Sequence, residues 1–117
     1  MNERLCSVEK QDDITILNLA LDNLVYEENA DLMKSFDALF YGGHKKIILD
    51  FSKTAYVSSL ILASLVYMQK RAKDGGGNLI FCQVKGRVKE ILSMTNLDKV
   101  FDITNTKEEA LAQLGKK

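Results

Sequence analysis

Two adjacent serines, Ser58 and Ser59, stand where an extended stretch, Phe51 to Tyr56, gives way directly to helical apolar spacing. The first-turn N–H groups of a helix have no intrahelical partner, and a serine hydroxyl beside them can accept one of those bonds. As a plain N-cap, such a serine contributes about 1 kcal/mol. A phosphate ester on the same hydroxyl would be stabilised by the same N–H groups and by the positive end of the helix dipole. It would also place about two negative charges on the surface, enough to break a partner interface by repulsion and desolvation. The residues Val57-Ser58-Ser59-Leu60 therefore read either as a cap or as a modification site.

Other chemistries lack parts. His44 is the sole histidine and lies in a Gly-Gly-His-Lys-Lys turn, where a solvated loop residue is expected. Cys6 and Cys82 sit singly in apolar, strand-like segments, where a thiol is normally inert packing. With one histidine and no CxxC, a structural zinc site is not expected, and nothing calls for a cofactor. Gly75-Gly76-Gly77 lacks the GxxxxGK[ST] phosphate cradle and leads into a strand, so it reads as a helix stop. Asp12-Asp13, Glu27-Glu28 and Glu108-Glu109 fall at a turn and at helix starts, where carboxylates serve solvation and the helix dipole. No catalytic residue is assigned, and the protein is not expected to be an enzyme. Lys70, Arg71 and Lys73, with Lys85, Arg87 and Lys89, read as solvated helix faces, because only Phe81, in a buried strand, interleaves them with an aromatic ring.

The elements that must position Ser58 follow from periodicity. Residues 5 to 9 and 14 to 20 read as strands joined by the polar turn Lys10 to Asp13. Leu32 or Met33, Phe36, Leu39 and Phe40 then take helical spacing over about 28 to 41, ended by Gly42-Gly43. Ile47-Ile48-Leu49 is a strand apolar on both faces. From Ser58, the residues Ile61, Leu62, Leu65, Met68 and Ala72 form the stripe of a second helix, stopped at Asp74. Leu79 to Val84 is a strand, and Val88, Ile91 and Leu92 mark a third helix of about ten residues. A short strand near Val100 to Thr104 precedes a capping box, Thr106 with Glu109, which opens a last helix to about Leu114. The order β-β-α-β-α-β-α-β-α indicates an α/β sandwich: a mixed sheet of about five strands, an opening hairpin followed by βαβ crossovers, covered by about four helices. Leu49, Leu65, Ile80 and Ile91 are expected in the core.

The 117 residues suit one domain over 1 to 117, and no proline, linker composition or repeat divides them. Sixteen basic and sixteen acidic residues cancel, so no global field draws the chain to nucleic acid or an anionic membrane. The longest uncharged stretch, Thr54 to Gln69, falls short of the roughly 18 apolar residues of a membrane span. The start carries no signal-peptide pattern, and two lone cysteines fit a reducing compartment, so a cytoplasmic protein is expected.

Three runs, Ile47-Ile48-Leu49-Asp50-Phe51-Ser52, Val57-Ser58-Ser59-Leu60-Ile61 and Gly75-Gly76-Gly77-Asn78-Leu79, resemble the STAS domain of bacterial anti-sigma factor antagonists. Asn29-Ala30 near the first helix start, Thr95 to Phe101 and Thr106 to Leu111 fit too, so the likeness spans about residues 5 to 115. In that family the second helix opens with Asp-Ser-Ser/Thr-Gly-Leu, and its first serine is phosphorylated by a partner kinase that is also the anti-sigma factor. The resemblance implies that Ser58 is that serine, with Ser59 the lesser candidate. It implies that the unphosphorylated form binds the anti-sigma factor and frees the sigma factor, that the phosphorylated form does not, and that a phosphatase restores binding. The contact surface implied comprises Asp50, Val57, Ser58, Ser59 and Leu60. Val57 stands where the motif has its acid and Leu60 where it has glycine, so Val57→Asp is expected to give a better kinase substrate. The alternatives are an adaptor that binds without a phosphate switch, and a STAS module that senses a nucleotide or lipid through Lys70 to Lys73 and a cleft near Ser58.

Overall fold

A computed structural model describes residues 4–115. The chain opens with a hairpin, β1 (Cys6–Gln11) and β2 (Ile14–Leu19), whose two-residue turn puts Asp12 in the left-handed region. Next come β3 (Asn23–Leu24), a 3-10 turn at Tyr26–Glu28 and α1 (Asn29–Tyr41). Then follow β4 (Lys46–Asp50), β5 (Tyr56–Val57), α2 (Ser59–Asp74), β6 (Asn78–Cys82) and α3 (Gly86–Met94). A 3-10 turn at Leu97–Lys99, β7 (Asp102–Thr104) and α4 (Lys107–Gly115) complete the described chain.

Five strands form a mixed sheet in the order β1-β2-β4-β6-β7, antiparallel only in the hairpin. Side chains alternate across it, which gives each face its own apolar layer. Ile47, Leu49, Leu79 and Phe81 pack under α1, α2 and α3, while Ile48, Ile80 and Cys82 pack under α4 with Ala110 and Leu114. The continuous apolar runs of β4 and β6 are therefore what a doubly covered strand requires. Leu49, Leu65 and Ile80 are buried as expected.

Where the structure departs from the expectations, local causes are visible. Ile91 is half-buried and not core: α3 inserts Val88 and Leu92, one turn apart, and leaves Ile91 on the flank. β6 ends at Cys82 because Gln83 turns left-handed at φ 57°. The stretch before β7 forms a 3-10 turn opened by Asn96 at φ 60°. The connection after β4 carries β5, which pairs in parallel with β3 as a separate two-stranded sheet, Asn23 with Tyr56 and Leu24 with Val57. The glycine stop is made by close approach as much as by conformation. A Cβ on Gly77 would lie 2.6 Å from the Lys45 carbonyl oxygen and 2.7 Å from the Phe40 ring. Gly76 between its neighbours takes φ 75°. Among the described residues no helix is long and apolar enough to cross a membrane.

Candidate functional site

The parallel strands β2, β4 and β6 end along one edge of the sheet, where the connection from β4 must travel to α2. That connection is fixed by backbone bonds to the segment after β2. Ala55 N–H donates to the Asp22 carbonyl at 2.7 Å, the Thr54 hydroxyl to the Leu21 carbonyl at 2.8 Å, and Ser58 N–H to the Leu24 carbonyl at 2.9 Å. Ser58 is then delivered in extended conformation as the N-cap of α2, its Oγ accepting from Ile61 N–H at 3.3 Å. No acidic side chain lies in the first turn of α2, so the positive end of that helix is not neutralised locally. Arg71 and Lys73 stand in its last turn.

Of the five residues named from the sequence, three form the surface here. Ser58 is half-buried, Ser59 is exposed, and Leu60 is 40% exposed in the first turn. Val57 is 1% exposed and packs in the core as part of β5. A carboxylate in its place would lie in apolar surroundings, so the expectation that Val57→Asp improves a surface motif does not suit this geometry.

Asp50 is also beneath the surface, 2% exposed, at the end of β4 on the face covered by α4. Its carboxylate is fully engaged. Oδ1 accepts from Ser52 N–H at 2.8 Å, and Gln83 Nε2 approaches both oxygens at 3.2 and 3.3 Å. Lys107 Nζ, at the start of α4, stands 3.3 Å from Oδ2 and also reaches Asn18 at 3.0 Å and Glu9 at 3.5 Å. Burial opposes the charge on this ammonium, but the hydrogen bond and charge of Asp50, with those of Glu9, outweigh it and hold its pKa above the usual lysine value. Lys85 Nζ in turn donates to the Ser52 carbonyl. Sequence reading named Asp50, took Lys85 for a solvated helix face, and gave no role to Gln83 or Lys107. A charged residue closing a doubly buried strand was the available signal that a partner must exist.

The remaining candidates take structural places. The Thr15 hydroxyl lies 3.4 Å from Nδ1 of half-buried His44. Cys6 and Cys82 are buried and unpaired with each other. Burial pushes both thiols up, Cys82 to about 12 with Asp50 adding to the effect, so both are protonated and inert at neutral pH. Lys70, Lys73, Lys85, Arg87 and Lys89 are exposed, whereas Arg71 is half-buried and stacks on Tyr41 at 4.5 Å to the ring centroid. Tyr41, Tyr67, Lys70 and Arg71 line a groove of about 370 Å³ at the C-terminal end of α2. Twelve residues of helix at about 1.5 Å each separate Ser58 from Lys70. The structure therefore does not bring Lys70 to Lys73 and Ser58 into one cleft.

Comparison with known proteins decides the family. The STAS domain profile matches residues 6–110. The chain belongs to the STAS domain family. A relative from Thermotoga neapolitana, described as a homologue of a candidate anti-sigma factor antagonist, is 35% identical over 89 residues, 74% of this chain and 79% of its own. A candidate anti-sigma factor antagonist from Thermotoga maritima is 33% identical over 92 residues, 77% of this chain and 81% of its own. The crystal structure of a candidate anti-sigma factor antagonist from Thermotoga maritima superposes with a TM-score of 0.87 at 27% identity, covering 95% of each chain.

This STAS domain thus has the fold of the anti-sigma factor antagonists, and its α2 start carries Ser58 and Ser59 followed by Leu60. A side chain there lengthens the apolar surface beside Ser58 and Ser59. The residue before Ser58 is a core valine, and the charge nearest in sequence before Ser58 is the exposed Lys53.

Proposed function

We propose that this STAS domain is an anti-sigma factor antagonist that binds an anti-sigma factor with serine kinase activity through Ser58, Ser59 and Leu60, with Val57 and Asp50 shaping that surface from below. Phosphorylation of Ser58 by that partner releases the complex, and a phosphatase restores it. The observation that carries this reading is the placement of Ser58: a capping hydroxyl at an accessible helix start whose first turn holds no carboxylate. A phosphoryl group on Oγ gains stabilisation from the first-turn N–H groups, and its two charges enter the surface that a partner must desolvate. The names of the Thermotoga relatives support the partner class. No catalysis by this chain is required.

Phosphopeptide mass spectrometry across Ser58 and Ser59, on protein recovered from its native cells under growth and stress together with co-purified partners, tests the proposal. The expected result is phosphate on Ser58 that varies with condition and a serine kinase in the complex. A partner retained with both serines always unmodified would leave an adaptor and remove the switch. No partner, combined with thermal stabilisation by a nucleotide or lipid, would replace the proposal with ligand sensing.

A further inference from the structure

The Ser58 turn is held from two sides, and only one of them is the β3–β5 pairing. On the other side everything converges on Ser52. Its N–H is bound by the Asp50 carboxylate at 2.8 Å and its carbonyl by the Lys85 ammonium. The same carboxylate takes Gln83, which stands in the left-handed region where β6 turns towards α3. One buried anion therefore ties the β4–β5 connection to the β6–α3 connection. This carboxylate is deeply enclosed, and Lys107 supplies a cation beside it from α4, across the sheet from α2. Lys107 is itself anchored on the opening hairpin through Glu9 and Asn18.

We propose that Asp50 and Lys107 are positioning residues for the Ser58 surface, so that the face bearing α4 and the hairpin sets the pose of a turn on the opposite face. This rests on the proposed role of Ser58, but the pose is measurable without a partner. Loss of the Lys107 ammonium leaves the buried carboxylate without its ion-pair partner, loosens its hold on Ser52 and lets residues 52 to 58 move. The β3–β5 bonds keep the turn attached while it moves.

The test is amide hydrogen exchange by NMR on the full chain, wild type against Lys107→Met, Lys107→Arg and Asp50→Asn, with Leu65→Ala as a destabilised control. In Lys107→Met and Asp50→Asn, exchange at Ser52, Ser58 and Ile61 is expected to rise about tenfold relative to Ile48 and Phe81. Lys107→Arg keeps the charge and should return those amides to within about threefold of wild type. Leu65→Ala should raise exchange without singling out residues 52 to 58. The inference is overturned if Lys107→Met accelerates the turn and the core equally, if it leaves Ser52 and Ser58 unchanged, or if arginine does not restore them. Affinity for the anti-sigma factor that co-purifies with the wild-type chain is measured alongside. If no such partner exists the functional proposal fails, while the exchange pattern still decides the positioning role.

Discussion

Replacing Ser58 by alanine and by aspartate should move stability and partner binding in opposite orders, and that crossing distinguishes a switch from a cap. Alanine removes the oxygen that accepts from Ile61 N–H at 3.3 Å. The expected cost is about 1 kcal/mol. At roughly 2.1 cal/mol/K per residue, 117 residues give an unfolding entropy near 0.25 kcal/mol/K, so the midpoint should fall by about 4 °C. Aspartate keeps an acceptor at the same place and adds a charge beside a helix end with no other carboxylate, a gain of about 0.3–1 kcal/mol. Its melting point should match or slightly exceed wild type. Binding runs the other way. Alanine leaves the surface uncharged and should preserve affinity for the co-purified anti-sigma factor, whereas aspartate should weaken it at least about tenfold, or ~1.4 kcal/mol. Thermal melts by circular dichroism and isothermal titration calorimetry on the three proteins read both quantities. Equal affinities for the two variants would falsify the switch, and an alanine variant as stable as wild type would refute the capping geometry on which it rests.

Further outcomes follow from the packing and the thiols. Leu65→Ala should cost about 2–5 kcal/mol in urea unfolding, and Ile91→Ala, on a half-buried flank, only about 1 kcal/mol; similar losses would mean that α3 packs differently. Gly77→Ala forces a methyl group to 2.6 Å from the Lys45 carbonyl and should destabilise by about 1–3 kcal/mol, so a neutral result would show that the β6 entry is looser than described. A thiol reagent at pH 8 should modify Cys6 and Cys82 only after unfolding; native-state labelling would contradict their burial. Because the Cys82 pKa is raised to about 12 by burial, the unfolded chain releases that proton first. Stability should be intact below about pH 8.5 and decline as pH climbs towards that value, less steeply in Cys82→Ala. An equal decline in Cys82→Ala would assign the loss to other groups.

Legibility in the sequence depended on how far apart the cooperating residues lie. Cap signals act within one turn, and they were readable: Ser58 with Ile61, and Thr106 with Glu109, whose side chains and N–H groups exchange bonds at 3.0 Å. Stripes such as Ile61, Leu65, Met68 and Ala72 were readable because every member obeys one period and faces one layer. β3 and β5 were not, since two residues hold no period and their pairing joins Asn23 to Tyr56 across a helix and a strand. Ile91 was misplaced because spacing alone does not say which of two neighbouring positions on a short helix faces inward. The Asp50 cluster was hidden for a different reason. Its members Glu9, Asn18, Gln83 and Lys107 come from four separate elements or turns, and only the folded sheet, hairpin and parallel strands together, with α4 across it, assembles them.

The two departures from the serine motif acquire a common physical sense once Val57 and Leu60 are placed. A glycine in the first helical turn of α2 would cost roughly 1 kcal/mol of helix stability relative to alanine and would offer a partner only bare backbone. Leu60 removes that cost and presents a side chain 40% exposed beside Ser59, where burial against a partner returns about 25 cal/mol per Å² of apolar area. Val57 goes the other way, inward, and packs in the core. Together they give the α2 start an exposed apolar side chain above a buried one. A phosphate on Ser58 would then act mainly by forcing two charges into an apolar contact, a mechanism that needs accurate placement of the hydroxyl more than it needs a neighbouring acid. On that proposal the buried Asp50 carboxylate, which binds Ser52 N–H six residues before the serine, would bear on function through the placement of the hydroxyl.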